Sequence, residues 1–334
     1  MAGRKIKAEI LTFTKGDLDP KVVENIELAG RTCYKSMDKI SLGSAEKFDK
    51  GIMARGHESV IEHSWFVFVL PKKSYNRSYL PEYLLTVMMA NNLLSLTEEK
   101  DKYILSGNAR MFRDLFRNLP CWDSEDKSMH EQLLKAAPVL FSDIIPPNDG
   151  FVESHITICP KNVNYTRAEK LKHWFACARI TGGSRAFTHQ LVRHRRMAIS
   201  QESQRYCDEA GIYENDYYVI PPSIKEAGFG DYYIEKIKLI DSWYRELQKI
   251  IKEAGTGKAN EDARFLLPNA CCSEIVISCN LQEWRQIFKM RTDSHAQWEI
   301  RNGMLQILRQ FQKLFPGCFD DFKIVNKTSA IVLT

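Results

Sequence analysis

Gln190-Leu191-Val192-Arg193-His194-Arg195-Arg196-Met197-Ala198-Ile199-Ser200-Gln201-Glu202-Ser203-Gln204-Arg205-Tyr206 is the stretch around which the rest of the chain makes sense. Four arginines, one histidine, three glutamines and two serines share it with one carboxylate and one aromatic ring. Guanidinium forks suit planar or bidentate anions, phosphate above all. The amides and hydroxyls among them add directional hydrogen bonds that a solvated basic helix face does not need. Composition alone leaves that bland reading open at even odds, so the decision rests on what accompanies the stretch elsewhere.

A chain of 334 residues, 44% apolar and 27% charged, has ample length for a sizeable core in one large domain or two smaller ones. The formal net charge of +5 is mild and does not demand nucleic acid or a membrane as partner. Met1 to Leu11 alternates charged and apolar residues, and no apolar run approaches the ~20 residues of a membrane span. The expected location is the cytoplasm. The nine cysteines show no C-x-x-C spacing, which points to reduced packing residues and to no metal site.

Ile6 to Phe13 reads as a strand, and Val22 to Cys33 as a helix with Val23, Ile26 and Leu28-Ala29 on one side. A second helix is expected from Ser44, whose hydroxyl can cap it, toward Arg55. Gly56-His57-Glu58-Ser59-Val60-Ile61-Glu62-His63-Ser64 then leads into the apolar strand Trp65 to Leu70. A zinc-protease site needs histidines four apart on one helical face, and His57 and His63 are not so spaced; capping and local hydrogen bonds are the expected role of His57-Glu58. Tyr79 to Leu96 reads as a broad apolar helix, Asn108 to Leu115 as another, and Asp123 to Asp126 and Pro146 to Gly150 as loop and linker. Cys121, without a histidine beside it, reads as structural.

His173 to Ile180 alternates as a half-buried strand does, followed by a glycine turn at Thr181 to Ala186. No phosphate-loop or dinucleotide glycine pattern occurs, and Gly255-Thr256-Gly257-Lys258 reads as a flexible connection. Asp231 to Glu253 is an amphipathic helix, Glu261 to Leu267 a short one halted by Pro268, and Cys271 to Cys279 a strand. Asn280 is expected to cap the next helix, with Glu283 in the reciprocal position of a capping box. If that helix continues, Arg291, His295 and Glu299 share a face between Trp284 and Trp298. Ser106 to Phe116 also echoes Ser278 to Phe288, each an apolar strand entering an Asn-capped helix; coincidence of local chemistry is the reading favoured here over a weak internal repeat.

Four stretches, in order and covering both ends of the chain, together resemble the flavin-dependent thymidylate synthases. They are Arg193-His194-Arg195 followed by Ser203, the His57 to His63 segment, Glu261 through Asn280, and Arg291 to Arg301. The resemblance implies an α+β subunit, a mixed or antiparallel sheet with packed helices, assembled as a homotetramer. It implies one catalytic domain over 1–334, with a largely helical, family-variable insertion at 71–170 of unknown role. The implied reaction converts dUMP to dTMP with methylenetetrahydrofolate as carbon donor and NADPH-reduced FAD as hydride source.

By the same resemblance, Ser59, Arg193, His194, Arg195, Gln201, Asn280, Gln282 and Gln286 meet the flavin. Gln190, Arg193, Gln201, Glu202, Ser203, Gln204 and Arg205 hold the nucleotide, with Arg264 reaching it from another subunit. Arg291 faces the pyrimidine and is the catalytic residue; Arg196, outside the matched positions, is released to solvent. Attack at C6 of dUMP spreads negative charge over the ring, and a guanidinium at its edge stabilises that charge where it develops. No enzyme nucleophile is required, because a reduced flavin delivers hydride. Gln282 departs from the family, which commonly has arginine there. A paralogue making another 5-substituted dUMP, such as hydroxymethyl, would share these contacts. A nucleic-acid-binding protein would show a larger basic surplus with interleaved aromatics.

Overall fold

The computed structural model describes residues 3–72, 94–119, 122, 124–146, 157–158, 163–325 and 328–333. The first half of the chain forms β1 (Lys7–Thr14), α1 (Val22–Cys33), α2 (Ser44–Ala54), β2 (Phe66–Pro71), β3 (Ser95–Glu98) and β4 (Lys102–Gly107). There follow α3 (Ala109–Asn118), α4 (Ser124–Ala136), α5 (Pro138–Phe141), β5 (Thr157–Ile158) and α6 (Arg167–His173). The second half forms β6 (Phe175–Ser184), α7 (Arg185–Leu191), β7 (Ala198–Gln201), α8 (Pro222–Glu226), α9 (Gly230–Ala254) and α10 (Ala259–Ala263). It closes with β8 (Cys272–Asn280), α11 (Leu281–Arg291), α12 (Trp298–Leu314), β9 (Phe322–Val325) and β10 (Ser329–Val332).

Two four-stranded sheets dominate, one in the order β1-β6-β8-β7 and one in the order β3-β4-β2-β5, and every pairing in them is antiparallel. Helices cover them, so the fold is α+β, as the sequence led us to expect. In the first sheet the edge strand β1 has its backbone groups met by side chains of α12. Gln306 accepts from the Ala8 amide and donates to the Ile6 carbonyl, and Gln310 does the same for Ile10 and Ala8. An edge so covered is closed to further pairing. The apolar stripe of α11 (Trp284, Ile287, Phe288) packs with Phe311, Phe315, Phe319 and Phe322 into one aromatic cluster behind the sheet. A second core gathers Phe66, Phe68, Phe112, Phe116 and Phe141 around the other sheet.

Several local expectations are corrected. The strand expected to be half-buried, β6, is almost wholly buried, because it is a central strand rather than an edge. The expected glycine turn is a bulge inside it: the register with β8 shifts between Ile180 and Gly183, and Gly182 takes φ +68°. Gly43, in the left-handed region, precedes α2, and the Ser44 hydroxyl donates to Glu27 instead of capping. On α1 the buried apolar side chains are Val22, Ile26 and Ala29, with Val23 and Leu28 only half-buried. Residues after Asp123 begin α4 rather than a loop. Helix α11 stops at Arg291, so the Arg291-His295-Glu299 ladder does not form: His295 is exposed beside Asp293, and Glu299 is buried and accepts from Ser184. Trp284 is a core residue rather than the wall of a site. The expected helix at 79–96 lies mostly outside the described residues, and its end, Ser95-Leu96, belongs to β3. Cys121, Asp123 and the linker residues 147–150 also lie outside them.

Candidate active site

The tight end of α7 and the end of α11 meet at one point. Arg291, the last residue of α11, donates from Nε to Nε2 of His194 at 3.0 Å and from Nη2 to the Gln190 carbonyl at 3.1 Å. Burial, and then the Arg291 charge, push His194 down to about 4, so the ring is neutral near pH 7. Since Nε2 accepts, its proton sits on Nδ1, toward Glu283 Oε1 at 3.9 Å. The arrangement fixes the guanidinium while leaving donors on both terminal nitrogens for a ligand.

Behind this point lies a cavity of about 290 Å³ between the two sheets. Asn280, Gln282 and Gln286 of the expected flavin set lie on its wall, together with Arg196, Glu283, Glu62 and Asn108. Arg196 is exposed and at the same time on that wall, so it is not merely a solvent arginine. Asn280 caps α11 by accepting from the Glu283 amide, and its Nδ2 donates to Ser95 Oγ and the Lys172 carbonyl. The Glu283 carboxylate does not complete a capping box; it faces the cavity, where burial raises its pKa and Arg196 opposes the rise. Burial likewise raises Glu62, which Arg110 holds at 2.6 Å. Ser59, Arg193 and Arg195 are exposed and off the cavity wall.

The segment after β7 is a second locus. Gln201 donates to Thr188 Oγ1 at 2.9 Å and Ser273 Oγ at 3.1 Å. Ser203 is half-buried, and its amide is held by the Cys33 carbonyl. Gln204 is buried against Cys271. Glu202 is turned inward: it takes the Lys35 ammonium at 2.6 Å, the Tyr217 hydroxyl and the Glu274 amide. Burial opposes the charge on Lys35, yet Glu202 and Glu209 together hold its pKa well above the usual range. Arg205 is exposed and pairs with Glu261 at 3.0 Å, and Arg264 donates to the Glu261 carbonyl at 3.1 Å. Both arginines therefore gather at Glu261 within a single chain.

The family described as "Thymidylate synthase complementing protein" matches residues 154–317. A flavin-dependent thymidylate synthase of Nitratidesulfovibrio vulgaris is 43% identical over 143 residues, 42% of this chain and 57% of the relative. Those of Pyrococcus abyssi and Clostridium tetani are 36% and 34% identical over 172 and 168 residues, 50% and 47% of this chain and 65% and 66% of theirs. Over this region the chain is similar to flavin-dependent thymidylate synthases. The chain spans between 57% and 66% of the length of these relatives.

Some cavity residues carry no signal in the motifs that resemble the family. Phe175 and Ala198 are strand residues and Trp65 immediately precedes β2, so their role depends on which faces meet. Glu62 stood beside His63 in a quoted motif. Asn108 was visible only through the echo between Ser106 to Phe116 and Ser278 to Phe288. The histidines of the His57 to His63 motif are not metal ligands in arrangement: His57 is exposed, and His63 is buried between Ser278 Oγ and Ser200 Oγ at 2.6 and 3.0 Å. Glu58 pairs with Arg113 and Arg117 on α3, which replaces the local role expected of it. Among the described residues no group of metal-ligating side chains converges.

Proposed function

We propose that this chain catalyses the reductive methylation of dUMP to dTMP, with methylenetetrahydrofolate as carbon donor and FAD, reduced by NADPH, as cofactor. The observation that carries this reading is Arg291 held by neutral His194 and the Gln190 carbonyl, since a fixed guanidinium answers the charge that develops on the pyrimidine. The donor set of the cavity fits a flavin: amides of Gln282, Gln286 and Asn108, the Arg196 cation and the flat faces of Trp65 and Phe175. The Asn108 Nδ2 has no protein partner among the described residues, although the residue is 2% exposed. Bound there, FAD supplies the hydride that makes a protein nucleophile unnecessary.

The chain's own residues then have separable tasks. Arg205, once a phosphate dianion displaces the Glu261 carboxylate, and Arg264, held beside it by the Glu261 carbonyl, are available to that phosphate. Ser203 adds a hydroxyl donor, and Gln190 and Gln201 present amides toward the nucleotide. Self-association as a homotetramer is supported by α9, which leaves Tyr232, Leu239, Trp243 and Ile250 exposed at 45–60%. A cytoplasmic location accords with the unpaired described cysteines, and no described helix is long and apolar enough to cross a membrane.

The test is to purify the protein, record its flavin spectrum, and incubate it with dUMP, methylenetetrahydrofolate and NADPH, identifying the nucleotide by mass. A yellow protein yielding dTMP is the expected outcome. A colourless protein that cannot be reconstituted with FAD sinks the reading, and a product one oxygen heavier than dTMP redirects it to the hydroxymethyl paralogue.

A further inference from the structure

The two sheets are the same sheet twice. Aligned as β3-β4-β2-β5 and β7-β8-β6-β1, they share strand order and antiparallel sense throughout. The correspondence continues at the level of single side chains. His63 and His173 each precede the second of these central strands, β2 and β6. His63 places Nδ1 on Ser278 Oγ of β8 and Nε2 on Ser200 Oγ of β7. His173 places Nδ1 on Ser106 Oγ of β4 and Nε2 on Thr97 Oγ1 of β3, at 2.8 Å each. In register, Ser106 pairs with Val67 and Ser95, and Ser278 with Cys177 and Ala198. Val67 and Cys177 both stand four residues after their histidine. The residues two places after each histidine, Trp65 and Phe175, stack on one another at 5.3 Å with planes 12° apart, as they would beside a twofold axis.

The helices repeat as well. Asn108 and Asn280 cap α3 and α11 through the amides of Met111 and Glu283. Five residues on, Arg113 forks onto both oxygens of Asp143 and reaches the Leu140 carbonyl; Arg285 forks onto Asp321 and reaches the Cys318 carbonyl. Lys135 to Ile144 aligns with Lys313 to Phe322 without a gap, sharing lysine, proline, phenylalanine and aspartate. Coincidence of capping chemistry explains one shared Asn; it does not explain a shared sheet order, crossed histidines and a shared arginine fork. The internal echo is a repeat.

The copies have diverged in function. Leu119 stands where the second copy has Arg291, and residues 72–94 contain no Arg-His-Arg triplet. β3 and β4 are joined by Glu99 to Asp101, where β7 and β8 are separated by residues 202–271. The first copy thus lacks the elements that would engage a nucleotide. What it keeps is its end of the cavity: Trp65, Ser95 and Asn108, with Glu62 just ahead of the copy, line it together with Arg196, Asn280, Gln282 and Glu283 of the second half. The copies differ in one telling way. Asn280 spends its Nδ2 on Ser95 and Lys172, whereas Asn108, equally committed to its cap through Oδ1, has its Nδ2 free of protein partners among the described residues.

We propose that residues 63–144 are a degenerate second copy of the unit at 173–322, retained as the opposite wall of the cofactor cavity, with Asn108 Nδ2 donating to the bound flavin. This rests on the flavin reading above. A single chain then supplies both halves of a composite cavity, and the stretch expected as an unassigned insertion is a binding element.

The test is FAD affinity, read by fluorescence quenching on apo-protein, beside thermal unfolding without FAD. Asn108→Asp and Asn108→Ser keep an oxygen for the Met111 amide, and all three residues are good caps, so the fold is expected to survive. Each removes the Nδ2 donor, and the Asp variant adds a carboxylate beside Glu62 and Glu283. The expected result is unchanged unfolding, with Kd for FAD raised several-fold by Ser and tenfold or more by Asp. Wild-type affinity in both variants overturns the assignment of Asn108 while leaving the flavin reading intact. Failure of the wild-type protein to bind FAD overturns that reading and this one with it.

Discussion

Arg291 Nε and His194 Nε2 lie 3.0 Å apart, with the arginine donating. A protonated imidazole could not accept that bond, so burial of His194 is part of how the arginine is aimed. On the mechanism proposed above, replacing Arg291 by alanine removes a charge that counts chiefly in the transition state. Turnover of dUMP should fall by ~10²-fold or more, while the cavity behind it keeps its flavin. Arg291→Lys should rescue little, because a point charge cannot bond His194 and Gln190 together. Steady-state rates and the bound-flavin spectrum of each variant decide this; near-normal turnover by the alanine variant removes Arg291 from the chemistry.

The same burial makes the protein sensitive to acid. Burial pushes His63 and His173 each down to about 3, and Lys172 adds to the effect at His173; His194 lies at about 4. Their folded pKa values are depressed below the ~6.5 of an unfolded histidine. Below that value the unfolded chain takes up protons that the native chain refuses, so stability falls with pH. Each such group contributes a slope of ~1.4 kcal/mol per pH unit between about pH 6 and its folded value. Urea unfolding at pH 7, 6 and 5 should show a steep loss. His63→Gln, which can still bond the two serines, should flatten it. A flat profile in the wild type would mean that these rings are charged in the native state.

Asp49 presents the opposite sign. It is fully buried on α2, neither oxygen has a hydrogen-bond partner among the described residues, and burial raises its pKa to about 8, with Glu27, Glu24 and Glu46 adding to the rise. Its folded pKa exceeds the unfolded value, so its stability contribution is fully present below about pH 4 and is lost as pH rises toward 8. Asn in its place cannot ionise. Asp49→Asn should stabilise the protein by on the order of 1 kcal/mol or more at pH 7, and the gain should shrink toward pH 4. An equal gain at both pH values would point to packing rather than ionisation.

Periodicity and capping chemistry made most elements legible: α1 has the bounds read from its sequence, and Asn108 and Asn280 cap as their positions imply. What could not be read is what depends on two distant segments meeting. The exposure of β6 follows from its neighbours β1 and β8, which lie far from it in sequence. Arg291 appeared to begin a ladder because i, i+4 spacing says nothing about where a helix stops. The Thr292 break instead turns Arg291 toward His194, 97 residues away. The motifs named Asn280, Gln282 and Gln286 but gave no account of the facing wall. That wall comes from a copy whose sequence has drifted while its hydrogen bonds have not.

The bulge in β6 offers a last test, since it sets where Ser184 caps α7 and so where Gln190 and His194 lie. Gly182 has φ +68°, and a Cβ built there would stand 2.5 Å from the Lys5 carbonyl oxygen, a backbone atom that cannot swing aside. Gly255, at the end of α9, has φ +64° and open space around its Cβ position. Alanine at either position meets the left-handed penalty of roughly 1–2 kcal/mol, but only Gly182→Ala also pushes against the Lys5 backbone that leads into β1. Gly255→Ala should therefore cost about 1 kcal/mol. Gly182→Ala should cost clearly more and should weaken nucleotide binding as well, because the displaced strand carries α7 with it. Equal losses for the two variants, measured by urea unfolding, would show that the β1–β6 contact yields and that the bulge does not position the site.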